Sequence, residues 1–358
     1  AQLTRTDPGG ELPPVTDLLV GADIGTSACK ATLLRADDGT VLASAIERYR
    51  PDALAAGRSE QDPDTWYRAV CAVVSRLLTE VPGSATRIRA VGLAGQMRGV
   101  VLVDQAGIPV RPAILWNDNR CTEEVEGIGG AELERLEAIT HNVLNTMCTL
   151  PKLMWLQRHE PGTLSAATSM LYPKDYVRLR LTGQRGTDLS DASGSSFFDV
   201  AAQAWSTELT ESYGIDARLL PTVLRATDVA GTLSAGAAAE TGLPAGLPVV
   251  AGGSDSTVES FSVGLTDEHS CKVRLGTSGA VSTVVDDLTG SGHAYVWSFV
   301  REGRWMLDTN TRACGQAVRW LRELAYSEIP TDEDAFAAID HEAAGVPVGA
   351  DGAVFHPY

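Results

Sequence analysis

Two aspartates that lie near Gly-Thr-Ser turns are the residues of this chain whose types and spacing could do chemistry. Asp23 ends an apolar run two residues before Gly25, and Asp255 lies upstream of a second such turn that begins at Gly276. Glycine lets the backbone approach a ligand, and consecutive N–H groups with Thr and Ser hydroxyls can hold a phosphate. One carboxylate could sit near Mg²⁺ while the other accepts a hydroxyl proton. The pattern therefore predicts phosphoryl-transfer chemistry.

Each of these features also has a purely structural explanation. A single Gly-Thr-Ser sequence is more often an ordinary hairpin turn than a phosphate site. Asp23 could accept hydrogen bonds only from its own turn, and Asp255 could cap the helix that residues 256–264 predict. Two such turns in matching contexts favour the functional interpretation, and the structural one stays open.

The elements that must position Asp23 are predicted as an antiparallel meander, a helix and further strands. An Asp-Gly pair at 38–39 is a hairpin signal, and a helix is predicted to begin at Pro63 because Asp62 can cap it and apolar residues recur on one face. The first domain is therefore predicted as a mixed sheet flanked by helices. Strands are predicted at 18–22, 30–34 and 41–44, and at 88–96 a strand that ends in a glycine turn. Residues 99–110 are predicted as strand, turn and strand.

The elements around Asp255 repeat the opening pattern after a more helical middle. Helices are predicted at 149–161 and 172–183, and a polar loop at 187–200. A Pro- and Gly-rich stretch near residue 245 marks the predicted domain boundary. Beyond it, residues 271–285 read as strand, Gly-Thr-Ser-Gly turn and strand, which indicates a weak internal duplication. A nucleotide between two such lobes would meet one small-residue turn from each side.

Length, charge and missing motifs narrow the classes of function. The 358 residues suffice for two domains, and 29 Lys and Arg against 46 Asp and Glu give a net charge of −17, which disfavours nucleic acid and anionic membranes as partners. No apolar run approaches the roughly 18 residues of a membrane span. The scattered cysteines predict buried, reduced thiols in a cytoplasmic protein. P-loop, dinucleotide-binding and hydrolase-elbow motifs are missing from the sequence.

Six segments together resemble the FGGY family of carbohydrate kinases, and within it the xylulokinases most closely. They occur in the family's order between about residues 18 and 325. The resemblance implies an α/β fold with two ribonuclease-H-like lobes, as in actin, sugar kinases and Hsp70, with a cleft between the lobes. The segments are GADIGTSACKATLL, GLAGQMRGVVLVDQAGIPVRPAILWNDNR, YPKDYVRLRLTG, TDLSDASG, GGSDS and LGTSG.

The resemblance also implies a domain plan and a reaction. Residues 1–17 are expected to be a disordered leader, 18–245 the N-terminal lobe and 246–358 an incomplete C-terminal lobe. The implied reaction transfers the γ-phosphate of ATP, with Mg²⁺, to a terminal hydroxyl of an open-chain sugar. D-xylulose is the first candidate; a kinase for another ketose or polyol, ribulokinase-like or erythritol-kinase-like, and a catalytically silent actin-like nucleotide-binding protein are the alternatives. A homodimer is compatible with the family.

Site residues carry over from the family motifs position by position. Asp255 matches the catalytic base, and Asp23 matches the aspartate that holds Mg²⁺ through water, with Asp255 as a second metal-side carboxylate. The first phosphate motif comprises Gly25, Thr26 and Ser27, and the second comprises Gly276, Thr277 and Ser278. The residues that match sugar contacts are Gln96, Met97, Arg98, Trp116 and Asp118, together with Asp255, and Arg120 flanks the same pocket.

Three departures from the family pattern bear on the substrate. Arg98 stands where xylulokinases usually have His, and a charged, fork-shaped donor cannot simply replace a neutral imidazole. Arg98 either faces the pocket or turns away to pair with a carboxylate. Ser256 stands where Asn usually follows the base. The glycine-rich segment that binds adenine in the family is expected beyond residue 358, which leaves ATP affinity open.

Overall fold

The computed structural model describes residues 17–50, 57–288, 294–311 and 313–355, so the predicted leader lies outside the described residues except for Asp17. The strands are β1 (Leu18–Ile24), β2 (Ala28–Arg35), β3 (Val41–Arg48), β4 (Glu60–Gln61), β5 (Ile88–Gly95), β6 (Val101–Val103), β7 (Ala113–Ile114), β8 (Ser169–Leu171), β9 (Thr187–Asp188), β10 (Phe198–Asp199), β11 (Ala204–Trp205), β12 (Val223–Leu224), β13 (Val229–Thr232), β14 (Pro248–Val250), β15 (Gly253–Ser254), β16 (Cys271–Leu275), β17 (Gly279–Val285), β18 (Tyr295–Ser298) and β19 (Trp305–Thr311).

Helices connect these strands and cover the sheets. They are α1 (Pro63–Glu80), α2 (Thr122–Glu126), α3 (Gly130–Thr140), α4 (Thr149–His159), α5 (Pro161–Ala166), α6 (Pro173–Thr182), α7 (Leu189–Ser193), α8 (Thr207–Ser212), α9 (Ala235–Thr241), α10 (Asp255–Ser262), α11 (Gly315–Ala325) and α12 (Asp332–Ala344). None of the helices in the described part combines the length and apolar character that crossing a bilayer requires.

A mixed sheet of seven strands forms the first lobe, in the order β13-β14-β5-β1-β2-β3 with β15 also paired to β5. The predicted meander of β1, β2 and β3 is confirmed, because both pairs are antiparallel. By contrast, β1, β14 and β15 all run parallel to β5. Parallel strands end at one edge of a sheet, and ligands in open α/β sheets bind beyond those carboxyl ends.

Helix α1 covers this sheet and confirms the predicted amphipathic helix. Asp62 accepts the Asp64 N–H at 3.0 Å, and Pro63 occupies the first turn. Trp66 and Leu77 on its apolar face are fully buried, in one cluster with the strand residues of β1, β2 and β5. The repeat of apolar residues at helical spacing therefore places α1 on the sheet.

The segment 187–200, predicted as a polar loop, instead forms β9, the short helix α7 and β10. Asp188 caps α7 by accepting the Ser190 N–H at 2.7 Å. The serines and Asp191 of this helix are buried, although their composition is typical of an exposed loop. These residues can be buried because they have partners outside the segment, such as buried Lys174, which pairs with Asp188 and Asp191.

The predicted helices on either side of this segment form with small shifts. Helix α4 ends at His159 and Pro161 begins α5, rather than ending α4 itself. Helix α6 ends as predicted at Gly183, whose φ of +74° is the left-handed conformation that favours glycine.

A second sheet of four antiparallel strands, β16-β17-β19-β18, follows in the chain. Strands β16 and β17 enclose the turn 276–278, as β1 and β2 enclose 25–27, so both predicted strand-turn-strand units are present. The boundary predicted at 245/246 falls inside the first lobe, because β14 and β15 belong to its sheet. Their pairing with β5 is non-local, so the amino-acid composition near residue 245 does not reveal it. The second sheet begins only at Cys271.

The cysteines are free thiols in the structure. Cys29, Cys121 and Cys148 are buried as predicted, and burial raises the pKa of the Cys29 thiol to about 12. Cys271 is an exception, because it is exposed at the start of β16.

Candidate active site

The two aspartates are brought to one edge of the first sheet. Asp23 pairs with Ala94 on one side of β5, and Gly253 pairs with Ala94 on the other. Two strand spacings separate β1 from β15, or roughly 10 Å, and Asp255 directly follows β15. The turn before β15 needs glycine, because Gly252 has a φ of +75° and a Cβ there would lie 1.9 Å from the Leu93 carbonyl oxygen.

Asp255 is the first residue of α10, and Ser254 rather than Asp255 occupies the N-cap position. Its Oδ1 accepts the N–H of Ser256 at 2.7 Å. Burial, helped by the charges of Asp23 and Glu259, raises the pKa of Asp255 to about 6 against the lowering effect of the Ser256 N–H. At neutral pH the group is therefore a carboxylate that can accept a proton, which is the requirement for a general base.

Asp23 keeps one carboxyl oxygen free of protein partners. Within the described residues its Oδ1 is buried and has no hydrogen-bond partner. The turn does not use it, since the Gly25 N–H donates to the Ala28 carbonyl at 3.0 Å. Burial raises the pKa of Asp23, against the opposing charge of Lys30. Asp23 also lines a cavity of about 420 Å³ beside the sheet edge. The orphaned oxygen and the cavity suit a carboxylate that faces a bound cation.

The first small-residue turn is tied to two of the predicted sugar contacts. Thr26 donates its hydroxyl to Gln96 Oε1 at 3.1 Å and accepts the Trp116 indole N–H at 2.9 Å. Gln96 Nε2 donates to the Gly25 carbonyl at 3.4 Å. The turn 25–27 and the loop after β5 therefore form one hydrogen-bonded unit.

A cavity of about 250 Å³ lies between the first lobe and the second sheet, with Asp255 in its wall. Four further predicted site residues line it, namely Gln96, Met97, Arg98 and Trp116, as does Ser256. The remaining wall residues come mostly from the second sheet and are not predicted from the sequence. They are Met147, Arg274, Tyr295, Trp297, Asp308 and Asn310.

Four of these wall residues could have been identified from side chains that alternate along two strands of the sequence. Tyr295 and Trp297 alternate along β18, and Asp308 and Asn310 alternate along β19, which pairs with β18. Side chains two residues apart on a strand share one face. The local pattern does not show which face of the β18–β19 sheet lies at the cleft, because that depends on the non-local pairing of the strands.

Arg98 faces this cavity rather than turning away to a carboxylate. Its guanidinium carbon lies 4.6 Å from the Trp297 ring centroid and 5.6 Å from that of Tyr295. The side chain is 6% exposed, and its Nε has no hydrogen-bond partner in the part of the chain that the structure describes. Arg98 also has a φ of +61°, a conformation that is uncommon for a side chain of this size.

Asp118 lies outside the cavity wall, and its oxygens are engaged with protein donors. Its Oδ2 accepts the Ser59 N–H at 2.6 Å and Arg120 Nη2 at 2.8 Å, while Oδ1 accepts the N–H and Nε of Arg120. Arg120 also pairs with Glu60 at 2.7 Å. The geometry favours a role in holding the 116–120 loop over direct contact with a sugar.

The second small-residue turn, 276–278, packs against the start of α11. The N–H of Gly315 donates to the Gly276 carbonyl at 2.7 Å, and that of Cys314 donates to the Thr277 carbonyl at 2.9 Å. Gly276 and Thr277 are exposed. The turn does not line the 250 Å³ cavity, although Arg274 two residues earlier does.

A buried charge network lies beneath the site. The Lys174 ammonium is 2.6 Å from carboxyl oxygens of Asp175 and Asp188 and 3.0 Å from one of Asp191. Burial alone would lower the pKa of Lys174, but these carboxylates outweigh it and raise that pKa. The three aspartates could hold a metal ion among them, yet the Lys174 ammonium already lies there as the cation.

This network reaches the strand end that carries Asp255. Asp188 accepts the hydroxyl of Ser190, whose Oγ in turn accepts the Ser254 N–H at 2.8 Å. Arg178, which pairs with Asp175, donates to the Ala251 carbonyl at 2.8 Å. The backbone on the N-terminal side of Asp255 is thus held at two points by buried ionic groups.

Comparison with known proteins gives three consistent findings. The model of the FGGY family of carbohydrate kinases, N-terminal domain, matches residues 18–262. A protein named xylulose kinase from Klebsiella pneumoniae is 35% identical over 312 residues, which cover 86% of this chain and 63% of that protein. A xylulose kinase from Lactococcus lactis is 32% identical over 95% of this chain and 67% of its own length.

A solved structure agrees with these sequence matches. The crystal structure of xylulose kinase from Rhodospirillum rubrum matches with a TM-score of 0.88 at 32% identity, covering 95% of this chain and 70% of that one. The chain spans less than two thirds of the length of the Klebsiella protein.

Proposed function

Because the chain belongs to the FGGY family of carbohydrate kinases, we propose that it transfers the γ-phosphate of ATP to a terminal hydroxyl of an open-chain sugar. Its fold is the α/β fold of the actin, sugar-kinase and Hsp70 superfamily, as the sequence resemblance predicts. The observation that carries the proposal is Asp255, a carboxylate with a pKa raised to about 6 in the wall of a small cavity at the sheet edge.

The chemistry assigned to Asp255 is general-base catalysis. The terminal hydroxyl of the sugar approaches its carboxylate and gives up its proton there as the oxygen bonds to the γ-phosphorus. The bond from that phosphorus to the bridging oxygen breaks, and ADP leaves with the bonding electrons. Such transfer needs mainly in-line positioning and neutralisation of charge.

The nucleotide phosphates belong, in this proposal, to the two small-residue turns. Gly25, Thr26 and Ser27 offer a turn held by Gln96 and Trp116, and Gly276, Thr277 and Ser278 offer the second. A magnesium ion bound with ATP neutralises phosphate charge, and Asp23 would hold it through water, since its buried Oδ1 has no protein partner among the described residues.

The sugar belongs in the 250 Å³ cavity beside Asp255. Met97 and the rings of Trp116 and Trp297 give it apolar walls, while Gln96 and Asn310 add polar groups. A few polar groups set into apolar walls are typical of small-molecule sites. D-xylulose is the first candidate, since relatives at 35% and 32% identity are named xylulose kinases.

A second candidate is kinase activity toward another ketose or a polyol. Arg98 and Ser256 both line the cavity, and both depart from the residues that xylulokinases usually have. A changed donor set in a polar pocket changes which hydroxyl pattern is satisfied, and unsatisfied groups are penalised strongly. A silent nucleotide-binding protein is the remaining alternative.

A substrate panel separates these candidates. ADP release is measured with Mg-ATP and each of D-xylulose, D-ribulose, L-ribulose, D-fructose, erythritol and xylitol. Sugar-dependent ADP release with at least one member is the expected result, with D-xylulose preferred under the first candidate. Nucleotide binding without sugar-dependent release for any open-chain substrate would favour the silent protein.

A further inference from the structure

Arg98 is a buried cation that has no ionic partner among the described residues. Its side chain is 6% exposed, its Nε lacks a hydrogen-bond partner, and it forms no ion pair with any residue that the structure describes. Stacking on Trp297 and Tyr295 favours the cation. A charge taken out of water without a paired charge is nevertheless costly. A guanidinium in this state inside a ligand cavity is suited to an anion.

A second buried cation makes this end of the cavity more positive. Lys152 is fully buried, and its ammonium donates to the carbonyls of Thr146, Met147 and Cys148 at 2.7, 2.8 and 3.0 Å. These partners are neutral. Burial, together with the nearby charge of Arg98, lowers the pKa of Lys152 to about 8. The positive charges of Arg98 and Lys152 therefore lie close together at the part of the cavity wall that Arg98 and Met147 form.

Two carboxyl groups also line the cavity. Asp255 has the charges of Asp23 and Glu259 nearby, and Asp308 is a second wall carboxyl whose pKa burial raises. Arg274 partly offsets this charge. An anionic substrate group would be repelled by the Asp255 carboxylate and attracted by the Arg98 guanidinium, so these charges favour one orientation of an anionic substrate.

We propose that the Arg98 end of the cavity binds an anionic group of the substrate, so that the protein phosphorylates open-chain sugar acids such as aldonates. The carboxylate lies against the planar Arg98 fork, which matches it in two-point geometry. The hydroxyl at the far end of the carbon chain faces Asp255. This inference rests on the proposed kinase function and specifies its substrate class.

The reaction is balanced as for a neutral sugar. The terminal hydroxyl oxygen bonds to the γ-phosphorus of ATP, the hydroxyl proton passes to Asp255, and ADP leaves with the bonding electrons. The carboxylate at the other end takes no part in bond making. Its role is to fix the position of the substrate's carbon chain so that the reacting hydroxyl lies at Asp255.

The test uses a matched pair of probes, D-xylonate and xylitol. They share five carbons and the same hydroxyl configuration and differ only in the carboxylate or hydroxymethyl group at C1. Steady-state ADP release with Mg-ATP is measured for both, with D-xylulose as reference. We expect kcat/KM for D-xylonate to exceed that for xylitol by about 10-fold or more, since hydrogen bonds to charged groups are the stronger ones.

Variants of Arg98 make the test specific. Arg98→Gln removes the charge and keeps a polar side chain of similar length. It should lower kcat/KM for D-xylonate by about 10- to 100-fold and change kcat/KM for xylitol by less than about 3-fold. Arg98→Lys keeps the charge but loses the fork and should be intermediate. Arg301→Gln removes one positive charge from the exposed surface and should leave both probes unchanged.

Calorimetric binding of D-xylonate without ATP gives a readout that does not depend on turnover. Binding that Arg98→Gln weakens supports the inference even if no probe is phosphorylated, in which case the kinase proposal alone fails. Turnover of D-xylulose or xylitol, with no binding or turnover of D-xylonate, would leave the kinase proposal standing and overturn this inference. Equal loss for both probes in Arg98→Gln would also overturn it.

Discussion

At the scale of single residues, the site depends on carboxyl groups that the protein keeps partly away from water. Burial raises the pKa of both Asp23 and Asp255, and the charge of Asp23 contributes to the rise at Asp255. A carboxyl with a pKa near 6 is a stronger base than an ordinary aspartate but is still ionised at neutral pH. The proposed roles differ accordingly: Asp23 would face a cation and Asp255 would accept a proton.

This environment predicts the pH dependence of the reaction. Below pH 6 Asp255 is increasingly protonated and cannot accept the hydroxyl proton, so kcat/KM for the sugar should fall about tenfold per pH unit. The measurement is the pH–rate profile at saturating Mg-ATP, with thermal unfolding at each pH as the control for folding. A rate that stays flat down to pH 5 in folded protein would contradict a base with this pKa.

The residues of the site differ in how far the sequence could predict them. Gln96, Met97 and Trp116 are found by motif, and all three line the cavity. Asp118 lies in the same motif as Trp116, but its oxygens accept hydrogen bonds that hold the 116–120 loop. Tyr295 and Trp297 escape prediction because only the non-local pairing of β18 with β19 sets which face meets the cleft.

At the scale of elements, the position of Asp255 is set by the strand end before it and by the helix it begins. The Ser254 N–H donates to Ser190, which is bound to Asp188 of the Lys174 network. Hydrogen bonds inside a protein hold buried polar groups in defined positions. The structure therefore connects α6 and α7 to the backbone before Asp255 through hydrogen bonds rather than through apolar packing alone.

Removing one hydroxyl tests this connection. Ser190→Ala leaves the Ser254 N–H without its partner, so we expect kcat to fall about 10-fold with little change in the sugar KM. Ser193→Ala is the matched control, because Ser193 is also buried on α7 and accepts the Ser298 N–H at 3.0 Å, away from Asp255. Each variant should lose about 1–3 kcal/mol of unfolding free energy.

The comparison of the two serine variants decides what the network does. If both lower stability alike and only Ser190→Ala lowers kcat, Ser190 is a positioning residue for the base. If kcat is unchanged in Ser190→Ala, or falls equally in both variants, the network is structural only. Steady-state kinetics and thermal unfolding of the same preparations provide both readouts.

Elements with a strong local pattern were predictable and those with distant partners were not. The meander β1 to β3 and helix α1 carry clear turn, capping and periodicity signals. The 187–200 segment looks like a loop because the partners of its buried polar residues, among them Lys174 and the Ser254 N–H, lie elsewhere in the sequence. The boundary near 245 was misplaced for the same reason, since β14 and β15 pair with β5.

At the scale of the whole molecule, the substrate cavity is shared between the two sheets. Trp116 and Gln96 contribute from the first lobe, and Arg274 and Asp308 contribute from the second sheet. The first turn is bonded to that wall through Thr26, while Asp23 and Asp255 lie two strands apart at one edge. This arrangement fits the proposed transfer between a nucleotide and a sugar, in which Asp255 lies on the sugar side.

Phosphoryl transfer and sugar binding in Asp255→Asn test most directly whether Asp255 is the general base. We expect the sugar still to bind, by calorimetry, within a few-fold of the unchanged protein, while single-turnover transfer from Mg-ATP falls by about 10²–10⁴-fold, as expected for a lost general base. Near-normal transfer in Asp255→Asn would contradict the central claim that Asp255 accepts the hydroxyl proton.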